Sequence, residues 1–114
     1  MKLIAEIVAA QKELTQWRRD IHAHPELAFE ESRTADFVAG QLESCGIKVT
    51  RGVGKTGLVG TLRAGSSNKS IGLRADMDAL PMEELNTFAH KSQHPGCMHG
   101  CGHDGHTVML LAAA

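Results

Sequence analysis

At 114 residues the chain is one domain or part of one, and 42% hydrophobic with 22% charged residues is ordinary for a soluble globular protein. A net charge of −1 with scattered basic residues leaves no electrostatic footprint for nucleic acid, and no stretch nears the roughly 18 apolar residues of a membrane span. The odd count of three cysteines argues against a disulfide framework and for a reducing compartment, so a cytoplasmic protein is expected.

The first ten residues, Met1 to Ala10, have a passing likeness to a signal peptide, but Glu6 interrupts the apolar run. Leu3, Ile4, Ile7, Val8, Leu14, Trp17 and Ile21 instead follow the three-and-four spacing of an amphipathic helix. Pro25 restricts His24 to extended geometry, which predicts a helix end near His22. His22 and His24 could form a metal pair, yet a helix C-terminus favours histidine through its dipole, so a structural role is preferred. A second helix is predicted from about Glu31, with Ala35, Val38, Leu42 and Cys45 on its apolar face and Gly46 as its stop.

Ile47 to Thr50 alternates as a strand should. Gly52-Val53-Gly54-Lys55-Thr56 invites comparison with a phosphate-binding P-loop, but that pattern needs a glycine where Val49 stands. A strand rather than a helix also follows it, so a turn is expected. Leu58 to Leu62 and Ser70 to Arg74 read as two further strands around the turn-rich segment Ala64 to Lys69. Residues 79–102 read as a long irregular loop of the kind compact domains keep for function. The apolar run Val108 to Ala114 starts a helix with no terminator, and the chain reads as a truncated piece of something longer.

Met98-His99-Gly100-Cys101-Gly102-His103-Asp104-Gly105-His106-Thr107 carries the densest chemistry. A thiol and imidazoles, the preferred ligands of zinc and similar metals, crowd a glycine-rich turn at a loop-to-helix junction, with the Asp104 carboxylate beside them. A metal centre built for chemistry is the leading expectation. Two alternatives stand beside it: histidines that merely cap a helix, and a closed structural zinc site of Cys97, Cys101, His103 and His106. The short spacing of those four argues against the closed site, because structural sites draw ligand pairs from separated knuckles.

Arg74-Ala75-Asp76-Met77-Asp78-Ala79-Leu80-Pro81 places two carboxylates where a strand leaves the sheet, the end at which open α/β sheets bind ligands. Two residues apart on extended chain, both would point the same way, which suits a carboxylate that hydrogen-bonds a ligand histidine and fixes its tautomer. A turn is the plainer alternative. Cys45 is expected in the core, and Cys97 is left undecided. His90 and His94 are four apart, but Pro95 argues against a helix that would align them.

Three segments in this order and spacing resemble a known family: Trp17 to Leu27, Leu73 to Pro81, and Met98 to Thr107. They are similar to the N-terminal part of metal-dependent amidohydrolases that include hippurate hydrolase, N-acyl-amino-acid deacylases and auxin-conjugate hydrolases, grouped with the aminoacylase and carboxypeptidase-like zinc peptidases. The likeness covers nearly the whole chain. It implies a two-metal site, with zinc, manganese, nickel or cobalt as candidates, in which Cys101 matches the bridging ligand and His103 a ligand to one metal. Asp78 matches the aspartate behind the ligands. In sister carboxypeptidases a histidine ligand stands at the position of Asp76, and in the hippurate-type branch His103 takes its place. The general-base glutamate, its neighbouring ligand glutamate and two further histidine ligands lie downstream in the family and have no counterpart here. Cys97 and Gly100 stand where relatives more often show a basic residue and alanine.

The expectation is therefore an α/β fold: residues 1–114 as the N-terminal portion of a zinc-peptidase-like catalytic domain, a mixed sheet flanked by helices. The rest of that domain and a lid and dimerisation domain are absent. The implied reaction splits an N-acyl amino acid into a carboxylic acid and an amino acid, through a thiolate shared by two cations and a carboxylate base. The fragment itself is expected to be inactive. The implied partners are a small-molecule substrate and, for a full-length protein, further copies of itself, with neither nucleic acid nor membrane. The alternatives are a small structural zinc module and a non-functional remnant.

Overall fold

The computed structural model describes residues 3–114. Met1 and Lys2, the start of the signal-like stretch, lie outside them. The order of elements is α1 (Ala5–Ala23), α2 (Ser32–Ser44), β1 (Lys48–Val53), β2 (Gly57–Thr61) and α3 (His103–Ala113), an α/β arrangement. No helix among the described residues is long and apolar enough to cross a membrane.

The stop of α1 is local chemistry. His24 sits beyond the last turn, its backbone N–H returns to the Ile21 carbonyl at 3.1 Å, and its ring N–H donates to the Asp20 carbonyl at 2.8 Å. Pro25 then forbids continuation. The start of α2 is capped from a distance: the Glu26 carboxylate accepts the backbone N–H of Arg33 at 2.9 Å and of Thr34 at 2.7 Å, together with the Thr34 hydroxyl. That carboxylate satisfies donors a helix N-terminus leaves open and complements its dipole. At the other end Gly46 takes φ 76°, its N–H meets the Glu43 carbonyl, and the Ile47 N–H meets the Leu42 carbonyl. This is the paired-bond helix stop for which glycine is suited. Cys45, expected in the core, is exposed, because it lies past the last full turn of the apolar face.

β1 and β2 form an antiparallel hairpin with a bulge between Arg51 and Val53, where Gly52 has φ 79°. Gly54-Lys55-Thr56 is its turn, as the sequence predicts. The expected strand at residues 70–74 is not formed: the segment has no regular structure, and Ile71 and Leu73 are 86% and 65% exposed. A strand exists only through a partner's backbone, and no described strand lies beside this one. The mixed sheet is thus represented by the hairpin and two isolated bridges, Leu27 with Ala79 in parallel and Leu80 with Met98 antiparallel.

α1 packs on α3, while α2 packs on the hairpin and α3. Ile21, Ala23, Ala35, Val38, Ala39, Ile47, Ala79, Val108 and Leu111 make the buried apolar core. Trp17 meets Phe37 edge-on, with centroids 5.9 Å apart. The first turn of α3 is thereby fixed between the core and the 76–80 segment.

Candidate metal centre

α3 begins one residue after Gly102, which takes φ 88° and whose carbonyl accepts the N–H groups of Gly105 and His106 at 3.0 and 3.1 Å. Only a residue at ease with positive φ turns the loop into the helix this sharply. His103 therefore stands at the head of the helix, with Cys101 exposed in the loop before it. On the facing segment the Thr107 hydroxyl donates to the Asp76 carbonyl at 3.0 Å, and the Ala79 N–H to the Glu26 carbonyl at 2.8 Å. These bonds tie residues 76–79 between α3 and the turn after α1.

The result is a close contact between two residues singled out in the sequence. His103 Nδ1 lies 2.9 Å from the Asp78 backbone oxygen and 2.9 Å from Asp78 Oδ1. Both partners accept, so Nδ1 carries the proton, and in the neutral ring the lone pair then belongs to Nε2. Asp76 behaves differently: its carboxylate pairs with Arg74 at 2.6 Å on the surface. The two carboxylates do not converge, because the chain here is not a regular strand.

Asp104, expected to add its carboxylate to the cluster, is turned the other way and fully buried. Its Oδ2 accepts from Arg18 Nε at 2.8 Å and from His22 Nδ1 at 2.8 Å. The other nitrogen of His22 lies 3.0 Å from Glu84 Oε1, and Glu84 also accepts from the Asn86 amide at 2.9 Å and from the Ser92 backbone. Burial works to raise the Glu84 carboxyl, but the bonds from Ser92, Asn86 and His22 outweigh it and bring it down to about 2. Burial likewise opposes ionisation of Asp104, and the His22 bond and Arg18 hold it below the usual range. Both carboxylates are ionised, and one lies on each ring nitrogen of His22. His99 is buried beside them, its ring 6.3 Å from that of His22, with neither nitrogen hydrogen-bonded among the described residues. Burial pushes its imidazole toward the neutral form.

His22 was predicted to serve the helix dipole; it is instead a two-sided buried link. Glu84 carried no signal, since only the fold brings a residue 62 positions from His22 against it. His90 stacks on Phe88 with centroids 4.1 Å apart, and His94 faces His24 at 6.2 Å, so the two are not aligned as ligands.

Donor chemistry decides which residues suit a metal. A histidine with Nδ1 bound to a carboxylate and Nε2 free is the form found at metal sites, and a neighbouring exposed thiol adds a soft donor. Among the described residues no three His, Cys, Asp or Glu side chains converge to hold an ion. The closed site of Cys97, Cys101, His103 and His106 is therefore not formed. Burial, together with Glu30 and Glu26, also pushes the Cys97 thiol up, away from the thiolate a metal needs. Beside His103 and Asp78 opens a largely apolar cavity of about 1050 Å³ between α2, the hairpin and α3.

The α/β fold sets a carboxylate-bound histidine at a helix head, with an exposed thiol two residues before it, which is donor chemistry suited to a metal. Residues 72–114 match peptidase family M20/M25/M40. The whole chain is 52% identical to the hippurate hydrolase of Campylobacter jejuni, covering 30% of that protein. Over 99% of its length it is 46% identical to an N-acyl-L-amino acid amidohydrolase of Geobacillus stearothermophilus, again covering 30%. The crystal structure of Bacillus subtilis YXEP, described as a dinuclear metal-binding peptidase of the M20 family, superposes with a TM-score of 0.85 at 36% identity. That superposition takes in 91% of this chain and 29% of the other. Across these matches the chain is similar to peptidase family M20. It spans about 30% of the length of the curated relatives it matches.

Proposed function

We propose that this chain forms the N-terminal portion of the catalytic domain of a metal-dependent amidohydrolase of hippurate-hydrolase type. The substrate is an N-acyl amino acid, split into a carboxylic acid and an amino acid. The observation that carries the reading is the His103–Asp78 contact, which engages Nδ1 and leaves Nε2 for a metal, with the exposed Cys101 two residues earlier in the chain. Cys101 and His103 hold the divalent metals, and Asp78 orients the His103 ring and raises its basicity. When bound, the cations supply Lewis acidity toward the amide carbonyl and toward water. The three unpaired cysteines suit a cytoplasmic setting, and the assembly is a homo-oligomer, as the family resemblance implies.

The test is a chimera in which these 114 residues replace the matching segment of the Campylobacter jejuni hippurate hydrolase. The chimera is expected to bind divalent metal and release glycine from hippurate; a folded chimera that binds no metal refutes the reading. The chain alone is expected to give no turnover with zinc, manganese or cobalt, because its described residues offer fewer than three converging ligands. Turnover by the chain alone that Cys101→Ser abolishes would overturn that expectation.

A further inference from the structure

The buried cluster behind α3 is not used by the chemistry just described, yet it touches the same helical turn. His22 and Arg18 stand one turn apart on α1, Glu84 comes from the irregular 79–102 segment, and Asp104 follows His103 directly. His22 is 4% exposed and hydrogen-bonded on opposite edges of its ring, so it fixes the spacing between Glu84 and Asp104. Apolar side chains of the same volume in place of the whole cluster would pack as well without burying charge. Buried ion pairs are weak contributors to net stability, and their best-attested use is to select one register over others.

The first turn of α3 needs such a constraint. Its N-cap, Gly102, offers no side-chain bond, so the rotation of the helix head rests on Asp104 on one side and Thr107 on the other. His103 lies on the same face as Thr107, one turn before it, and reaches Asp78. Release of Asp104 would let the turn roll and carry His103 Nδ1 away from both Asp78 oxygens.

We propose that His22, clamped between Glu84 and Asp104, is a positioning residue for His103, setting the rotation of α3 at which Nε2 is presented to metal. This rests on the reading that His103 holds metal. Zinc affinity is measured in the chimera by chelator competition for His22→Gln and Glu84→Gln, with Cys101→Ser/His103→Ala as control. The zinc-free protein labelled with 15N-histidine reports the tautomer of His103. Zinc affinity is expected to fall tenfold or more in His22→Gln and less in Glu84→Gln. The single Nδ1–H tautomer of His103 is expected to become a mixture in both. If His22→Gln does not fold, Glu84→Gln decides alone. Folded variants that melt earlier but keep parental zinc affinity and tautomer overturn the proposal and leave a purely structural role. That outcome, with zinc lost in the control, spares the metal-centre reading; zinc retained in the control removes both.

Discussion

Two histidines held by carboxylates flank the first turn of α3, and the number of ring nitrogens engaged separates them. His103 donates from Nδ1 to Asp78 and has its second nitrogen open. His22 is buried with a carboxylate on each nitrogen, Asp104 at 2.8 Å and Glu84 at 3.0 Å. A histidine bonded at Nδ1 alone keeps Nε2 available to a metal, whereas one bonded at both nitrogens is held as a pin. The site and its support thus share residue types and differ in how many partners the fold brings.

The strongest way to break this comparison is to remove the open side. Cys101→Ser with His103→Ala in the chimera is expected to strip most of the bound metal, read by atomic emission, because soft donors dominate affinity. Stoichiometric metal in that variant would show that the lone pair of His103 is not used. Asp78 sharpens the same point. Asp78→Ala is expected to lower hippurate turnover about tenfold to a hundredfold, the usual effect of removing a partner behind a ligand histidine. Asp76→Ala removes only a surface pair with Arg74, so activity should stay within about twofold. Equal effects at both positions would mean that the His103 contact is incidental.

The pinned side is tested by acid. Glu84 has a carboxyl brought down from 4.5 to about 2, so its contribution is complete above pH 4.5 and is lost as pH falls toward 2. The difference is on the order of 3 kcal/mol. Urea unfolding of the parent between pH 6 and 3 should therefore show a loss that Glu84→Gln lacks, the variant being weaker at neutral pH and flatter toward acid. Matching pH profiles would show that Glu84 is not held by these bonds. The smallest effect is expected at Gly100, where a Cβ would lie 2.6 Å from Met82 Sδ. A methionine end can move aside, so Gly100→Ala should change the melting temperature by only a few degrees and leave metal content unaltered.

What the chain's local chemistry determined is clear from particular residues. The stop of α1 at His24-Pro25, the Gly46 end of α2, the turn at Gly54–Thr56 and the thiol–imidazole cluster at the head of α3 all depend on neighbours within a few positions. They were legible for that reason. The Asp78 contact with His103 was also anticipated, although the reason offered, two carboxylates aligned on a strand, does not hold for Asp76.

Tertiary structure alone decided the remainder. Residues 70–74 have strand-forming residues but no described neighbour to pair with, and backbone pairing is a property of two segments rather than one. Cys45 has the right helical spacing for the core and is exposed because the helix ends before it. Asp104 lies next to His103 in sequence and turns onto another face, since successive helical residues point about 100° apart and that side of the turn meets α1. His22, Glu84 and Asp104 come from three separated stretches, and no local pattern encodes their meeting. Residue spacing along the chain gathered the thiol and imidazoles at the head of α3, and the packing of α1 against α3 decided that Asp104 turns into the core while His103 meets Asp78.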